Sequence, residues 1–158
     1  MQRVPMTPEG HKKLAETVKH MKEVVRPQIV LDIEEARAHG DLSENSEYED
    51  AKERQSLCEG RLRDYEARLA LAEVIDVTKL EPSERVVFGV TVLVEDLETE
   101  VESQYRIVGE LESDVKAGLI SVTSPIGRAL VGKEIGDEAV VRTPKGERRF
   151  SINDVQYR

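Results

Sequence analysis

The feature that most constrains this chain is an unbroken helical repeat in its N-terminal half. Between residues 48 and 72, positions suited to a helix interface recur in alternating steps of three and four. They are Tyr48, Ala51, Gln55, Cys58, Leu62, Tyr65, Leu69 and Ala72. A heptad seam of this kind predicts a long amphipathic helix that buries one face against a partner helix.

The preceding segment is expected to supply that partner. A second apolar stripe runs from Leu14 to Ala36, and residues 7–9 have the Thr-Pro-Glu pattern of a capped helix start. Pro27 coincides with a small slip in the phase of the stripe, which predicts a kink or local unwinding in one continuing helix. Two helices of roughly 30 residues should then form an antiparallel coiled coil about 45 Å long.

The ends of both helices can be placed from their capping residues. Gly40 is a helix stop, because glycine adopts the left-handed conformation after a last turn without strain, so the first helix should end near His39. Ser43, Asn45 and Ser46 can each cap the following helix, and residues 46–49 have the spacing of a capping box. The second helix should therefore begin near residue 45 or 46.

The turn between the helices carries two carboxylates, Asp41 and Glu44, three residues apart. Such a pair can share one Mg²⁺ ion but makes only half a site, so a second molecule must supply further oxygen ligands. The chemistry open to the completed site is two-metal phosphodiester cleavage. Acids also favour the first turn of a helix, and spacing alone does not decide between the two roles. Leu42, the one large apolar residue of the turn, suggests a partner surface.

Arg37 and Lys52 flank this turn, one on each helix. They provide either a local basic contact or ordinary surface ion pairs with acids such as Glu34 and Glu49, which contribute little. His39 is either a polar residue suited to a helix C-terminus or a ligand contact.

Composition excludes several classes of function. The net charge is −9, and both halves are acidic, with 12 Lys/Arg against 17 Asp/Glu in residues 1–76 and 11 against 15 in residues 77–158. Binding to free nucleic acid should therefore be weak or absent. Cys58 is the only cysteine, and the chain has no signal peptide pattern and no apolar run of about 18 residues that could span a membrane. We expect a cytoplasmic protein that acts as a monomer.

The predicted fold class is α+β, because the periodicity changes near residue 76. Residues 1–76 should form the coiled-coil hairpin, residues 77–84 a linker, and residues 85–158 a small domain with a mainly antiparallel sheet. Strands are expected over residues 86–94, 103–108, 119–122, 139–143 and 148–152, with a short helix from Ser124-Pro125 to Leu130.

The motif His39-Gly40-Asp41-Leu42-Ser43-Glu44-Asn45 resembles the tip signature of the bacterial Gre transcript cleavage factors, of the GreA type. Further matches follow in family order over nearly the whole chain. They include Met6-Thr7-Pro8-Glu9-Gly10, Arg26-Pro27, Glu59-Gly60-Arg61, Val74-Ile75-Asp76, Val87-Phe88-Gly89, Ile107-Val108-Gly109 and Ser124-Pro125-Ile126-Gly127-Arg128-Ala129-Leu130.

This resemblance implies an elongation factor that inserts its coiled coil into the secondary channel of bacterial RNA polymerase and stimulates cleavage of the 3′ end of backtracked RNA. Asp41 and Glu44 would be catalytic and would help place a second Mg²⁺ held jointly with the polymerase. Ser43 and Asn45 would support the tip, and Arg37 and Lys52 would contact RNA, although Lys52 replaces a common arginine and lacks its planar fork.

The resemblance also implies that the C-terminal domain is similar to FK506-binding proteins and docks on the polymerase through Thr123, Ser124 and Pro125. The chain would be no enzyme by itself, because the polymerase supplies the cleavage activity. A non-cleaving inhibitor that occupies the same channel is the main alternative. A prolyl isomerase and a free-standing nuclease are less favoured.

Overall fold

The computed structural model of the protein describes residues 2–40 and 45–158. These residues fall into two units, one built from His11–Ala72 and the other from Arg3–Gly10 together with Glu73–Arg158. The first unit is helical and the second contains a mainly antiparallel sheet, so the α+β prediction is confirmed.

The helical unit contains the predicted hairpin. Its first arm consists of α1 (Pro8–His20), a π-helical turn (Met21–Val25) and α2 (Arg26–Ala38), and its second arm is α3 (Ser46–Ala70). The apolar stripes of the two arms form one core, as the heptad pattern predicts. Its buried members are Val18, Met21, Ile29, Ile33, Ala51, Cys58 and Leu62.

The irregularity predicted at Pro27 is a π-helical turn. Proline has no N–H to donate and its ring crowds the preceding turn, so the α-helical pattern cannot run through unchanged. The turn widens just before it, and the N–H of Arg26 donates to the carbonyl of Met21, five residues back. The local unwinding is therefore confirmed, and the helix resumes at once as α2.

Two details at the ends of α3 differ from the expectation. Asn45 is the N-cap, so Ser46 is the first helical residue and does not head a capping box. Ala72, expected as the last seam residue, lies in the short strand β2 (Ala72–Val74), because the helix ends at Ala70. The strand β1 (Val4–Met6) precedes α1.

The second unit is organised around a five-stranded sheet in the order β5-β4-β3-β7-β6. Only β4 and β5 are parallel among its neighbours in the described residues. The strands are β3 (Thr91–Asp96), β4 (Glu102–Val108), β5 (Leu119–Ser121), β6 (Glu138–Thr143) and β7 (Gly146–Gln156), and α4 (Pro125–Leu130) follows β5.

The stretch before β3 was predicted less well. A strand was expected to begin at residue 86, but Gly89 has a φ of +91° and turns the chain before β3 starts at Thr91. A Cβ at Gly89 would lie 2.6 Å from the side chain of Val77, so glycine is needed for this close approach. Val77 itself is buried in the core of the second unit, although residues 77–84 were expected to form a linker.

The N-terminal segment is held within the second unit by the carboxylate of Glu112. The backbone N–H and the hydroxyl of Thr7 both donate to this carboxylate, and the N–H of Gly109 donates to it at 2.9 Å. Thr7 also caps α1, because its hydroxyl oxygen accepts from the N–H of Gly10 at 3.0 Å. The start of α1 is thus fixed by tertiary contacts as well as by its cap.

Asp96, at the end of β3, is a buried carboxylate with a matched set of donors. It accepts hydrogen bonds from the Arg148 guanidinium and from the N–H groups of Glu98 and Thr99. The hydrogen bond from Arg148 contributes most to lowering the pKa of Asp96 below its ordinary value. The guanidinium also lies 5.4 Å from the ring centre of Phe150.

The lowered pKa of Asp96 predicts a specific loss of stability in acid. The contribution of Asp96 to the free energy of unfolding is fully present above the ordinary pKa of 3.8. It is lost as the pH falls through that value towards the lowered pKa. We expect Asp96→Asn to reduce the free energy of unfolding at neutral pH and to flatten its decline below about pH 4. Urea unfolding of the parent and the variant across this pH range measures both free energies. An equal decline with falling pH in the two proteins would contradict the stabilising role assigned to Asp96.

Candidate functional site at the end of the hairpin

The candidate site is the end of the hairpin where α2 and α3 are joined. Its predicted residues Asp41, Ser43 and Glu44, together with Leu42, lie outside the described residues. The predicted residues Arg37, Asn45 and Lys52, and the neighbouring His39, are described, and their contacts define the two edges of the turn.

Asn45 connects the two helices directly. Its side-chain oxygen accepts from the N–H of Tyr48 at 3.1 Å and caps the start of α3, while its side-chain N–H₂ donates to the carbonyl of Ala36 at 2.7 Å. That carbonyl belongs to the last turn of α2 and also accepts from the backbone N–H of His39 at 3.2 Å. One amide side chain therefore binds a donor at the start of one helix and a carbonyl at the end of the other.

The other edge of the turn begins where α2 stops. His39 is the C-cap, and Gly40 follows with a φ of +115°, as the sequence predicts. Nδ1 of His39 lies 3.1 Å from Oε2 of Glu47, in the first turn of α3. Both side chains are exposed, so this contact adds a second, weaker link between the helix ends. The contact between His39 and Glu47 leaves no local signal in the sequence, because the two residues are eight positions apart.

Arg37 and Lys52 are exposed basic residues near the end of the hairpin where the two helices are joined. Within the described residues, neither side chain forms an ion pair with an acid, so the surface pairs with Glu34 and Glu49 are not formed. Lys52 donates to the side-chain oxygen of Gln55 at 3.0 Å. Two exposed cations thus remain available on either side of the turn.

Arg54 provides the contrast within the same hairpin. It pairs with Asp32 on the opposite helix at 3.0 Å and with Asp50 on its own helix at 3.4 Å. Hydrogen bonds from Gln28 and then Arg54 lower the pKa of Asp32, so this carboxylate stays ionised. Among the described residues, Arg54 forms ion pairs with acids, and Arg37 and Lys52 do not.

No cluster of three or more histidine, cysteine or acidic side chains suited to a metal ion occurs in residues 2–40 and 45–158. None of the helices in the same two ranges has the length and apolarity required to cross a membrane.

The predicted docking residues lie at the start of α4 in the second unit. Ser124 caps this helix by accepting from the N–H of Gly127 at 3.1 Å, and its hydroxyl donates to the carbonyl of Ser121 at 2.7 Å. The side chains of Thr123 and Pro125 are exposed. A Cβ at Gly127 would lie 2.1 Å from the Ser121 carbonyl oxygen, so α4 packs directly on the end of β5.

The aromatic residues of the second unit serve its core. Phe88 and Phe150 are buried in the main cluster, and Tyr105 and Tyr157 pack against it. Tyr157 also donates a hydrogen bond to the backbone carbonyl of Arg85 at 2.9 Å. All four aromatic side chains of the second unit therefore contribute to its packing.

Comparisons with known proteins agree with these features along the chain. Residues 4–74 match the family described as "Transcription elongation factor, N-terminal". Residues 81–157 match the family described as "Transcription elongation factor, GreA/GreB, C-term". Together the two matches account for both units.

Full-length relatives give the same result. The chain is 54% identical to the protein named transcription elongation factor GreA from Psychrobacter cryohalolentis, over 99% of both chains. It is 56% identical to the GreA of Hyphomonas neptunium over 100% of both chains, and 57% identical to that of Anaeromyxobacter over 99% of this chain and 94% of the relative.

GreA factor homolog 1 of Thermus thermophilus, a solved structure, is 25% identical over 98% of this chain and 99% of its own, with a TM-score of 0.44.

The two hydrogen bonds of Asn45 can be separated by substitution. Asn45→Ala removes both and should lower the free energy of unfolding by about 1 to 2 kcal/mol. Asn45→Asp keeps an oxygen that caps α3 but cannot donate to Ala36, so the Tyr48 amide should stay protected while the amides at the end of α2 exchange faster. Amide hydrogen exchange of the two variants checks this. If the amides at each helix end exchange at the same rate in Asn45→Asp as in the parent, the contact with Ala36 contributes nothing.

Proposed function

Since this chain belongs to the GreA/GreB family of transcription elongation factors, we propose that it stimulates cleavage of the 3′ end of nascent RNA in backtracked complexes of bacterial RNA polymerase. The observation that carries the proposal is the pair of hydrogen bonds by which Asn45 ties together the two helix ends that flank Asp41 and Glu44 in the sequence. Helix ends that are connected in this way suit side chains that must act inside another molecule.

RNA polymerase is the partner on which an elongation factor acts. A hairpin arm such as the 25-residue α3, about 37 Å long at 1.5 Å per residue, would carry the turn deep into a channel. We propose that this channel is the secondary channel, through which the 3′ end of backtracked RNA is reached. The protein would act there as a single chain in the cytoplasm.

Two carboxylates are suitable donors for Mg²⁺, which prefers oxygen ligands and is held by one or two carboxylates together with phosphate oxygens. Asp41 and Glu44 would supply two of these ligands, and polymerase side chains and RNA would supply the others. In such a two-metal site, the ion held by Asp41 and Glu44 would supply the lowered pKa of an attacking water, and the polymerase's own ion would stabilise the charge on the leaving oxygen. The chain would therefore cleave no RNA by itself.

Arg37 and Lys52 would hold the RNA backbone at the two sides of the turn. Their charges are not neutralised by acids among the described residues, whereas that of Arg54 is. A phosphate would therefore meet two cations that need not break an existing ion pair first. This local pair of charges is compatible with an acidic chain, because the polymerase and not the charge of the factor would bring the RNA to the site.

The second unit would dock at the rim of the channel. Because Ser124 is already committed to capping α4, the exposed side chains of Thr123 and Pro125 would make the contact with the polymerase. Docking would depend on Ser124 indirectly, through the position of the helix start.

The double variant Asp41→Ala/Glu44→Ala tests the proposed chemistry. In backtracked complexes at near-neutral pH, the parent should release short 3′ fragments rapidly, and the variant should lose this stimulation by a factor of at least about 100. The rate of fragment release, measured at saturating protein, gives the result.

The control for this experiment is competition. The double variant should still displace the parent from the polymerase, because the hairpin and the second unit remain intact. If parent and variant both bind and neither stimulates cleavage, the chain is a channel-blocking inhibitor. Cleavage of naked RNA by the parent would instead indicate a free-standing nuclease.

A second experiment tests the two cations. Arg37→Ala and Lys52→Ala should each slow cleavage about five- to tenfold and make it less sensitive to salt, because each removes one phosphate contact. Lys12→Ala, at an exposed lysine far from the turn, is the matched control and should behave like the parent. Equal effects of all three substitutions would exclude a specific RNA contact at the turn.

A further inference from the structure

Two sequence motifs that the proposed function does not use, Arg26-Pro27 and Glu59-Gly60-Arg61, meet in the structure. Nε of Arg26 donates to Oε1 of Glu59 at 2.8 Å, and a terminal guanidinium nitrogen donates to Oε2 at 3.0 Å. The two residues are 33 positions apart and lie on opposite arms of the hairpin.

The bonds form a bidentate pair in which a planar guanidinium faces a planar carboxylate. This geometry fixes the distance and also the orientation of the two side chains, unlike a single contact. Other ion pairs between the arms, Lys22 with Glu66 at 3.1 Å and Arg54 with Asp32 at 3.0 Å, are single contacts. Exposed single pairs usually contribute little, and bidentate arginine pairs are the exception.

Arg26 occupies a special place in the first arm, because its backbone N–H closes the π-helical turn onto Met21. The seam explains why a wider turn is needed there. Met21, Val25, Ile29 and Ile33 follow one another in three steps of four, whereas a heptad alternation would place the last of them one residue earlier. The π-helical turn takes up this extra residue.

Without the wider turn, everything beyond it would rotate by about 100° around the axis of α2. Ile29 and Ile33 would leave the seam, and the Ala36 carbonyl would move away from the amide of Asn45. Arg37 lies 11 residues beyond Arg26, and so about 16 Å along the helix, and would be rotated around the axis by the same angle. The described edges of the candidate site therefore depend on the phase that the π-helical turn sets.

We propose that Arg26 and Glu59 are positioning residues for the described edges of the candidate site: their bidentate pair holds the π-helical turn in place and so fixes the orientation of Arg37 and of the Ala36–Asn45 contact. Their role in this proposal is indirect, through the position of the residues at the end of the hairpin. The consequence for cleavage rests on the proposed function, and the consequence for the hairpin does not.

Glu59→Gln is the test variant, because it keeps the size of the side chain and removes the charged, bidentate acceptor. Asp32→Asn is its matched control, since it makes the same chemical change in another ion pair between the arms. The charge-swapped double variant Arg26→Glu/Glu59→Arg should rescue the pair if the contact itself matters.

The first readout is amide hydrogen exchange in the isolated full-length chain. In Glu59→Gln the amides of Arg26 and Tyr48 should exchange about tenfold faster, while that of Leu62, in the middle of α3, stays as in the parent. Asp32→Asn should change none of the three. Parent-like exchange at Arg26 and Tyr48 in Glu59→Gln would overturn the proposal, and so would faster exchange at all three amides, which indicates a general loss of stability.

The second readout is cleavage in backtracked polymerase complexes. Glu59→Gln should lower the rate at saturating protein about tenfold and leave the half-saturating concentration within about twofold, because a misplaced turn impairs the reaction and not the docking. The charge-swapped variant should recover most of the rate. If the parent itself gives no stimulation, the proposed function fails, and the exchange measurements still decide whether Arg26 and Glu59 hold the turn.

Discussion

The apolar seam between the two arms of the hairpin is the interaction on which the candidate site depends. It aligns α2 with α3 so that the Ala36 carbonyl and the Asn45 side chain meet at the end of both helices. Leu62 is 1% exposed, and Cys58 and Ile29 are buried on the same seam, so the alignment rests on packing along its length. Polar contacts then refine the geometry that the packing sets.

The first arm shows how a helix accommodates a conflict between two patterns. Its apolar residues must stay on the seam although the spacing from Met21 to Ile33 is one residue longer than a heptad pattern allows. Pro27 also lacks the backbone N–H that a regular α-helix would use at this place. Widening the turn resolves both constraints at one place. The second unit relies on a different device, the Glu112 carboxylate, which collects donors from Thr7 and Gly109 and so holds the N-terminal segment. In the second unit one side chain thus connects segments that are far apart in sequence.

Much of the fold could be predicted because periodic burial dominates it. Both helical stripes, the stop at Gly40 and most strands of the second unit follow from local pattern and capping rules. The position of the irregularity at Pro27 could be predicted, but its π-helical form could not, since that depends on the partner helix. The strand expected from residue 86 was wrong in its start, because the need for a positive φ at Gly89 arises from close contact with Val77.

The roles of the residues at the candidate site could be predicted from the sequence to different extents. Asn45 was identified as a capping residue, yet its bond to Ala36 depends on the arrangement of the two arms and leaves no local signal. The contact of Thr7 with Glu112 joins residues 105 positions apart and is equally invisible in sequence. Asp41, Ser43 and Glu44 lie outside the described residues, and their roles stay predictions that come from motif and family.

The proposal that Asp41 and Glu44 complete a metal site on the polymerase is tested most directly by the Mg²⁺ dependence of RNA cleavage. In backtracked complexes at saturating protein, the Mg²⁺ concentration for half-maximal cleavage should fall about tenfold relative to polymerase alone, since two added ligands couple binding of the protein to binding of the ion. Asp41→Asn/Glu44→Gln should abolish this shift. The same Mg²⁺ dependence with and without the parent protein would contradict the proposed role of the two carboxylates.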